Sequence, residues 1–484
     1  MKQKSIKLNF IMNATLQISA FIFPLITFPY VSRILGPSGT GNVSFATSIV
    51  TYFALFAQLG IPTYGIRATA RVRDDKVLLS KTVQEIFIIN VVMCVLAYIV
   101  FFVVLNLVPK MYNDKVLFII ISSTILFNSV GMDWLYKGLE KYTYITFVSI
   151  IFKFIAIILM FVCVHHKNDY VIYGAISIFA VSASNICNLV NIHKLIYIKP
   201  ILNYEFTKHF YPIMIFFAMS CATTIYTNLD TVMLGFMKDN VEVGYYNAAI
   251  KIKNVLLGVV TSLGTVLLPR ASYYVENNMY SEFKRIAGKA LNFVVLISFP
   301  LCLYFILFAK EGVLFLSGDA YTEAILPMQI LMPTLIFIGL TNIMGIQMLI
   351  PLGREKVVLY SEIAGAIVDL AINIVLIPIM SSSGAAIGTL VAEGVVWMVQ
   401  YQALKEIVKE SYLKIKYIPI LLGITLAGIL SYFIKSLYLN SFLTLLLSAV
   451  IFFAVYLIVL TLAKESLINE IEFQILEKVL KKGE

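Results

Sequence analysis

The stretch "FPLITFPYVSRILGP", residues 23–37, lies in the first long apolar run of the chain and contains three prolines and Arg33. Proline bends or breaks a helix, and a charged side chain is costly in hydrocarbon. Pro24 and Pro29 are expected to bend a transmembrane helix and to free backbone carbonyls, which is tolerated where neighbours or cavity water satisfy them. The stretch therefore predicts a bent first helix beside a wet cavity, with Arg33 capping the cavity on its external side.

The rest of the composition is that of a membrane protein. The chain has 484 residues, of which 60% are apolar and 13% are charged, and its mean hydropathy is +0.89. Soluble domains carry about 25% charged residues. Fourteen apolar runs have roughly the 20 residues needed to cross a bilayer as a helix, and the loops between them are short. The sequence predicts an all-α polytopic membrane protein with fourteen transmembrane helices.

The basic residues fix the expected orientation. When the loops are numbered alternately, 27 of the 37 lysines and arginines fall on the side of the N-terminus and 7 on the other side. Three more, Lys153, Lys251 and Lys253, fall within predicted spans. Lysine and arginine accumulate in cytoplasmic loops, so both termini are predicted to be cytoplasmic. The net charge of +10 therefore requires no nucleic-acid partner.

The two halves of the chain resemble each other. "GNVSFA" (41–46) matches "GYYNAA" (244–249), and the same offset aligns Arg67 with Arg270. Such echoes in register predict a six-span duplication, with two six-helix lobes related by a parallel pseudo-two-fold axis. The expected division is an N-lobe at 1–200, a C-lobe at 201–410, two extra helices at 411–464 and a cytoplasmic amphipathic tail at 465–484.

Polar residues inside the predicted spans mark candidate functional positions, because a charge at the bilayer centre costs at least about 2.5–3.5 kcal/mol. Spans 1, 2, 7 and 8 form repeat-related pairs with polar stripes, which are expected to meet across a wet cavity. The predicted cavity residues are Arg33, Arg67, Lys153, Asp230, Lys251, Asn254 and Arg270. The candidates for ion coupling are Asp369, Glu362 and Glu393, with Asp230 as a further coupling carboxylate.

Structural alternatives stay open for these residues. Serine and threonine stripes also hold helices together, and Lys251 with Asp230 would equally form a structural ion pair. Lys253 points about 200° away from Lys251 around the helix, so Lys251 is the expected cavity residue. The four histidines fall in predicted loops and are expected to be solvated, which disfavours a histidine catalyst or a metal cluster.

Basic side chains outnumber acidic ones on predicted spans 1, 2, 5 and 8. A cationic lumen favours an anionic substrate, since guanidinium groups pair with phosphate and lysine adds a point charge. The serine, threonine, asparagine and glutamine stripes suit a polyhydroxylated headgroup. No GxxxxGK[ST] motif occurs, so the chain is not expected to hydrolyse nucleotide. The chain is expected to be a transporter and not an enzyme.

Four segments carry a resemblance to a known family. They are "FPYVSRILGPSGTGNVSFATSIVTYFALFAQLGIPTYGIR" (28–67), "GMDWLYKGLEKYTYI" (131–145), "NLDTVMLGF" (228–236) and "LIPLGREKV" (349–357). They resemble the bacterial polysaccharide repeat-unit flippases, the O-antigen and capsule exporters of the multidrug/oligosaccharidyl-lipid/polysaccharide superfamily. The resemblance covers spans 1–12 and is most specific around spans 1 and 2.

This resemblance implies a function. A family member would move undecaprenyl-pyrophosphate-linked oligosaccharide repeat units across the bacterial cytoplasmic membrane by alternating access, for capsule, O-antigen or exopolysaccharide synthesis. Arg33 and Arg67 match the family's arginines in the first two spans, Asp230 lies in its span-seven aspartate motif, and Lys251 lies in its "AAIKI" segment.

The expected partners are the lipid-linked oligosaccharide and membrane lipids, with the polymerase and glycosyltransferases as candidate protein partners. No cofactor is expected, and a proton or sodium gradient is the candidate driving force. Three alternatives remain. A cation-coupled multidrug exporter of the same superfamily would prefer acids in its N-lobe cavity, and a membrane-embedded polysaccharide-synthesis enzyme would carry a large external loop or a soluble catalytic domain. The third is a structural scaffold for the polymerase.

Overall fold

The computed structural model describes residues 6–201, 203–262 and 264–470, and every regular element in these ranges is a helix. The chain divides into an N-terminal unit, Met1–Asn247, and a C-terminal unit, Ala248–Glu484. The predicted all-α class is confirmed. The predicted lobe boundaries stay predictions, and positions 471–484 of the predicted tail lie outside the described residues.

The N-terminal unit is built from long apolar helices joined by short turns. Its helices are α1 (Ile6–Gln58), α2 (Ile61–Arg71), α3 (Lys76–Leu107), α4 (Pro109–Asn113), α5 (Lys115–Val130), α6 (Asp133–Gly138), α7 (Tyr142–Cys163), α8 (Tyr170–Ser182), α9 (Ser184–Asn191) and α10 (Thr207–Met237). Short 3₁₀ turns cover Lys167–Asp169 and Ile192–Lys194. Helix α11 (Asn240–Thr261) begins in this unit and continues into the next.

The C-terminal unit is also built from helices joined by short connections. Its helices are α12 (Gly264–Glu276), α13 (Tyr280–Leu307), α14 (Ala309–Ser317), α15 (Ile325–Leu331), α16 (Thr334–Thr341), α17 (Glu355–Lys414), α18 (Tyr417–Tyr432) and α19 (Ser441–Leu462). A π-helical stretch covers Asn342–Leu349, and 3₁₀ turns cover Asp319–Ala324 and Phe433–Leu437.

Helix α1 contains a break at Gly36. Helical dihedrals continue through Pro24 and Pro29, whereas Gly36 adopts φ 65°, a left-handed conformation that a side chain would strain. Pro37 follows directly. The 53 residues of α1 would extend about 80 Å as a straight helix, which exceeds twice the roughly 30 Å of a bilayer core. Two segments of membrane-spanning length are therefore joined at Gly36.

Helix α17 reverses direction at Ser381, where φ is 50° and ψ is −128°. A Cβ atom on Gly388 would lie 2.3 Å from Asn373 Oδ1 and 2.8 Å from Asp369 Oδ1. Positions 369 and 388 of an unbroken helix would be roughly 28 Å apart. The two halves of α17 consequently pack against each other.

Aromatic packing fills the core of the C-terminal unit, where Tyr304 and Phe452 are almost fully buried with ring centroids 5.3 Å apart. Large apolar side chains also point outward, such as Phe154 and Ile379 at 63% and 73% exposure, as expected for surfaces that contact lipid. By length and composition, ten segments of the described residues qualify as membrane spans, or eleven if the bent pair Asp319–Leu331 and Thr334–Leu349 is one span.

Candidate functional site

A cavity of about 460 Å³ with many polar side chains lies within the N-terminal unit. Its hydrogen-bonding side chains are Thr47, Thr51, Gln58, Thr124, Asn128, Ser177, Ser220 and Thr224. Thr47, Thr51 and Gln58 line it together because their spacing places them on one face of α1. The hydroxyl of Thr47 donates to the carbonyl of Val43 at 2.7 Å, and that of Thr51 donates to the carbonyl of Thr47 at 2.8 Å. The two hydroxyls therefore keep lone pairs that accept hydrogen bonds from a ligand.

A second pocket of about 320 Å³ adjoins the first, since Gln58, Pro62, Asn128 and Val181 line both. The two pockets together are called the N-terminal cavity. The other polar residues that line the second pocket are Asp133, Trp134, Lys137, Ser149, Ser184, Asn185 and Asn188. Asn185 Nδ2 donates to Asn128 Oδ1 at 3.2 Å, which links α9 to α5.

The wall of the N-terminal cavity is formally neutral. Asp133 and Lys137 are the only charged side chains among the described residues that line it. They lie one turn apart on α6, with Lys137 Nζ 2.6 Å from Asp133 Oδ2, so each charge is compensated locally. The cavity is equipped to form hydrogen bonds with uncharged polar groups.

Three of the basic residues predicted for the site, Arg33, Arg67 and Lys153, lie elsewhere in the N-terminal unit. Arg33 and Arg67 are exposed, and the guanidinium of Arg33 donates to the carbonyl of Pro29 at 2.5 Å. Lys153 is half-buried, and its ammonium donates to Ser19 Oγ at 2.8 Å. None of the three lines the N-terminal cavity. Their role in holding an anion stays a prediction.

Asp230 is buried on α10, close to the start of α11. The hydroxyl of Tyr246, which is fully buried, donates to the Asp230 carboxylate. Nearby, Asn247 Nδ2 donates to Thr231 Oγ1 at 3.3 Å. These bonds tie α11 to α10, so Asp230 has a structural role whether or not it also binds an ion.

The predicted residues of the C-terminal unit lie on α11, α12 and α17. Lys251 is half-buried on α11, whereas Asn254 and Arg270 are exposed. Glu362 is half-buried on the first half of α17, and Glu393 is buried on the second.

Among the coupling candidates, Asp369 has the clearest setting. Asp369 and Asn373 are 1% and 0% exposed and lie one turn apart on the first half of α17, facing Gly388 on the second half. A buried carboxylate beside an amide is a suitable place to bind a proton or a cation.

The expectation that all four histidines are solvated is wrong for His209. This residue is 2% exposed near the start of α10. Its Nε2 lies 2.8 Å from Oε2 of Glu85, and its Nδ1 lies 2.6 Å from the hydroxyl of Tyr64. The sequence analysis placed His209 in a loop, whereas α10 already begins at Thr207. The ring therefore packs among helices, where both ring nitrogens need hydrogen-bond partners.

The Glu85 carboxylate also accepts a backbone hydrogen bond and forms an ion pair. The Glu205 backbone N–H donates to Oε1 at 2.7 Å, and Lys208 Nζ lies 3.0 Å from Oε2. Glu85 itself is completely buried on α3. Glu205, which lies outside the membrane-length helices, forms an ion pair with Lys81. The hydrogen bond that Lys81 donates in this pair lowers the pKa of the Glu205 carboxyl. The cluster joins α2, α3, α10 and the segment that precedes α10.

Several residues of the N-terminal cavity were missed from the sequence. Ser184, Asn185 and Asn188 follow Val181 at spacings of three, four and seven, which is a polar helical face that the sequence already displays. On α5, Asn128 follows Thr124, which also lines the cavity, at a spacing of four. The packing of α5 against α9 shows that this face lies in the cavity wall.

The chain matches the sequence model described as polysaccharide biosynthesis protein over residues 6–275, more than half of its 484 residues. The chain belongs to the polysaccharide biosynthesis protein family. All residues that line the N-terminal cavity of this family member fall within the matched range. Residues 212–379 also match the MatE family.

Two relatives of this polysaccharide biosynthesis protein carry the description "Putative O-antigen transporter". The one from Escherichia coli (strain K12) is 27% identical over 391 residues, which cover 80% of this chain and 94% of the relative. The one from Shigella dysenteriae is 28% identical over 405 residues and covers 80% of this chain and 96% of the relative.

Solved structures of transporters share the fold of this chain. The lipid II flippase MurJ, in an inward closed conformation, aligns with a TM-score of 0.71 at 17% identity over 94% of this chain and 98% of that protein. An inward-facing multidrug resistance MATE family transporter of the MOP superfamily aligns with a TM-score of 0.61 at 13% identity, over 80% of this chain and 95% of that protein. At these identities the likeness establishes the fold alone.

Proposed function

We propose that this protein is a flippase that moves lipid-linked oligosaccharides across the cytoplasmic membrane of bacteria, for O-antigen, capsule or exopolysaccharide synthesis. The observation that carries this proposal is the N-terminal cavity, whose wall combines apolar side chains with hydrogen-bonding groups and has no net charge, among helices of membrane-spanning length. Such a wall is costly beside hydrocarbon and is well suited to the hydroxyl groups of a sugar. The family, the O-antigen transporter relatives and the flippase fold support the same function.

The proposed architecture has fourteen transmembrane helices, with a parallel pseudo-two-fold relation between spans 1–6 and 7–12. The breaks at Gly36 and Ser381 support this count, because α1 and α17 are each long enough for two crossings. The bent pair supplies one further span, and α11, with 22 residues, supplies the last. The two extra helices are then α18 and α19.

In the proposed orientation both termini are cytoplasmic. The excess of lysine and arginine on the side of the N-terminus supports it. The candidate protein partners are the glycosyltransferases that build the lipid-linked oligosaccharide and the polymerase that uses it. The protein itself carries its substrate without chemical change.

The candidate contacts for the undecaprenyl pyrophosphate are the basic residues Arg33, Arg67, Lys153, Lys251 and Arg270. Asp230 and Asn254 are the other predicted cavity residues. Guanidinium groups form bidentate pairs with phosphate, and the side chains of Arg33 and Arg67 are exposed. The polyprenyl chain stays in the lipid while the headgroup crosses by alternating access.

The proposed driving force is a proton or sodium gradient, with Asp369, Glu362, Glu393 and Asp230 as the candidate coupling carboxylates. The burial of Asp369 beside Asn373 supports it as the first choice. Protonation or cation binding there would change the packing between the halves of α17, since Gly388 lies against this pair.

A cation-coupled multidrug exporter is the second candidate function. The match of residues 212–379 to the MatE family and the fold shared with a MATE transporter support it. A drug exporter is expected to hold its cations with unpaired carboxylates. Asp133, the one carboxylate that lines the N-terminal cavity within the described part of the chain, is instead neutralised by Lys137. The flippase function therefore has the stronger support.

The test uses purified protein in proteoliposomes that contain the polyprenyl-linked oligosaccharide fraction extracted from the source organism. A membrane-impermeant glycosidase is added outside, and the digested fraction is measured. We expect digestion of both leaflets with the protein and of the outer leaflet alone in protein-free vesicles. Equal digestion in both preparations, together with export of ethidium by the same proteoliposomes, would show that the protein is a multidrug exporter and not a flippase.

A further inference from the structure

A pocket of about 450 Å³ lies at one end of the C-terminal unit. It is enclosed by the first turns of α13, the last turns of α17 and the segment that follows α19. We call it the charged pocket, because its described lining includes Lys284, Arg285, Lys289, Glu410, Lys414 and Glu470. Four of these six side chains are basic, so the wall has an excess of positive charge that the N-terminal cavity lacks.

Three helices that are long enough to cross a membrane end at the charged pocket. Helix α13 begins at Tyr280, α17 ends at Lys414 and α19 ends at Leu462. Tyr280 and Tyr417, at the starts of α13 and α18, are 50% and 36% exposed, and tyrosine is enriched where a membrane meets water. The charged pocket is therefore at the level of the lipid headgroups.

The residues of α13 that line the charged pocket are polar or small. Ser281, Lys284 and Gly288 follow one another at spacings of three and four, which places them on one face of the helix. A Cβ atom on Gly288 would lie 2.9 Å from Oγ of Ser411. Gly288 therefore allows α13 and α17 to pack closely beside the pocket.

Three of the four basic side chains are engaged by carboxylates. These ion pairs have closest nitrogen–oxygen distances of 2.6–2.7 Å and join Lys289 to Glu470, Lys414 to Glu410, and Arg285 to Glu282. Their charges are compensated within the protein, so none of the three is assigned to a ligand.

Lys284 is the remaining basic residue of the charged pocket, and its side chain is exposed. It takes part in none of the ion pairs of the described C-terminal unit. Its charge attracts Glu410, but that carboxylate already lies 2.6 Å from Lys414 Nζ. The ammonium of a lysine has three N–H donors and no acceptor. Lys284 therefore offers the pocket an accessible positive charge.

The position and the charge of the pocket together indicate the ligand. Basic pockets between helices at a membrane surface bind anionic lipid headgroups. One lysine whose charge is not compensated matches a phosphodiester, which has a single negative charge. Ile407 and Leu467 also line the pocket and are half-buried, so they supply apolar surface for the glycerol carbons and the first methylene groups of a lipid.

We propose that the charged pocket binds the phosphate group of an anionic phospholipid. The Lys284 ammonium pairs with the phosphate, and the hydroxyl of Ser281, one turn earlier on α13, is the second donor. The site belongs to the C-terminal unit and to membrane lipid, so it does not rest on the proposed flippase function.

The test compares three ligands on the purified full chain in neutral detergent, with bound ligand measured by native mass spectrometry. They are phosphatidylglycerol, zwitterionic phosphatidylcholine, and glycerol 1-phosphate, which has the phosphate without acyl chains. We expect saturable binding of phosphatidylglycerol, and at least tenfold weaker binding of the other two. Equal binding of the two phospholipids overturns the headgroup site. Equal binding of glycerol 1-phosphate and phosphatidylglycerol assigns the pocket to a soluble phosphate and overturns the lipid.

Variants locate the site. Lys284→Gln should weaken phosphatidylglycerol binding roughly tenfold, the size of one charge-assisted hydrogen bond, whereas Lys284→Arg should retain it. Lys409→Gln is the matched control, because this exposed lysine lies near the end of α17, does not line the pocket and removes the same charge. It should bind as the wild type does.

The control separates a defined site from the general attraction between a basic surface and anionic lipid. Equal weakening in Lys284→Gln and Lys409→Gln, or wild-type affinity in Lys284→Gln, would rule out the charged pocket as the phosphate site. Thermal unfolding without added lipid shows whether each variant is folded, and the midpoints should match the wild type because both lysines are exposed.

Discussion

His209 Nε2 lies 2.8 Å from Oε2 of the fully buried Glu85, and this contact joins α10 to α3 at a place where both side chains are removed from solvent. The Tyr64 hydroxyl completes the ring's contacts from α2. A buried carboxylate is stable only when hydrogen bonds and opposite charges replace its lost hydration. The cluster is therefore expected to be one of the principal polar contacts that hold these helices together.

Glu85→Ala should strongly destabilise the protein. The change leaves His209 with a buried, unpaired nitrogen and leaves Lys208 with its longer contact to Glu205 at 3.8 Å. Removing one partner of a buried pair costs about 3–5 kcal/mol. The measurement is the thermal unfolding midpoint in detergent. Lys414→Ala is the control, because its ion pair with Glu410 is exposed and should contribute at most about 1 kcal/mol. Equal midpoints for the two variants would contradict this account.

Gly41→Ala should disrupt the contact between α1 and the start of α11. A Cβ atom at position 41 would lie 1.6 Å from the carbonyl oxygen of Asn240, beside the 2.7 Å hydrogen bond from Asn240 Nδ2 to Asn42 Oδ1. Overpacking of this kind costs about 1–3 kcal/mol, so we expect lower stability and slower transport. Gly394→Ala, whose Cβ would meet only Phe337 at 3.9 Å, is the matched control and should behave as wild type.

Stability should fall at acidic pH through Glu465, which follows α19. Burial raises the pKa of this carboxyl, but hydrogen bonds from Asn292 Nδ2 and from the N–H groups of Leu467 and Ile468 outweigh burial and hold the pKa below its usual range. A depressed pKa contributes stability above the unfolded value of about 4.3, and this contribution is lost as the pH falls through the folded pKa.

The check is the unfolding midpoint of the wild type and of Glu465→Gln between pH 3 and 7. The variant should be less stable than the wild type at neutral pH, and the difference should shrink towards pH 3. A constant difference across this range would show that ionisation of Glu465 is not the cause.

Arg67→Ala tests the proposed pyrophosphate contact. The side chain is exposed, so its removal should change the free energy of unfolding by less than about 0.5 kcal/mol. We nevertheless expect loss of surface polysaccharide in cells, with normal membrane insertion. Arg285→Ala, which breaks an exposed ion pair with Glu282, is the matched control and should leave surface polysaccharide unchanged. Normal polysaccharide in the Arg67 variant would remove this arginine from the site.

Asp369→Asn tests the coupling role. The substitution keeps the size of the side chain against Gly388 but removes its charge, so transport should lose its dependence on the proton or sodium gradient while substrate binding persists. Transport in proteoliposomes is measured with each gradient imposed separately. If the variant responds to both gradients as the wild type does, then Asp369 is not the coupling group.

The sequence alone determined the class of the protein, because a bilayer demands runs of about 20 apolar residues and leaves few alternatives to a helix. The helical class and the family therefore followed from local patterns, such as the segment at 28–67. The bend of the first helix was predicted at Pro24 and Pro29, whereas the non-helical dihedrals of α1 lie at Gly36, directly before Pro37.

The tertiary structure decided which polar residues meet. His209, Glu85 and Tyr64 are separated by many residues in the chain, and nothing in their neighbourhoods indicates that they form one buried cluster. The same holds for Asn128 and Asn188 in the N-terminal cavity. The apolar periodicity of a helix indicates which of its faces contacts lipid. Which polar side chains pair depends instead on how the helices pack, and this packing is set by contacts between distant parts of the chain.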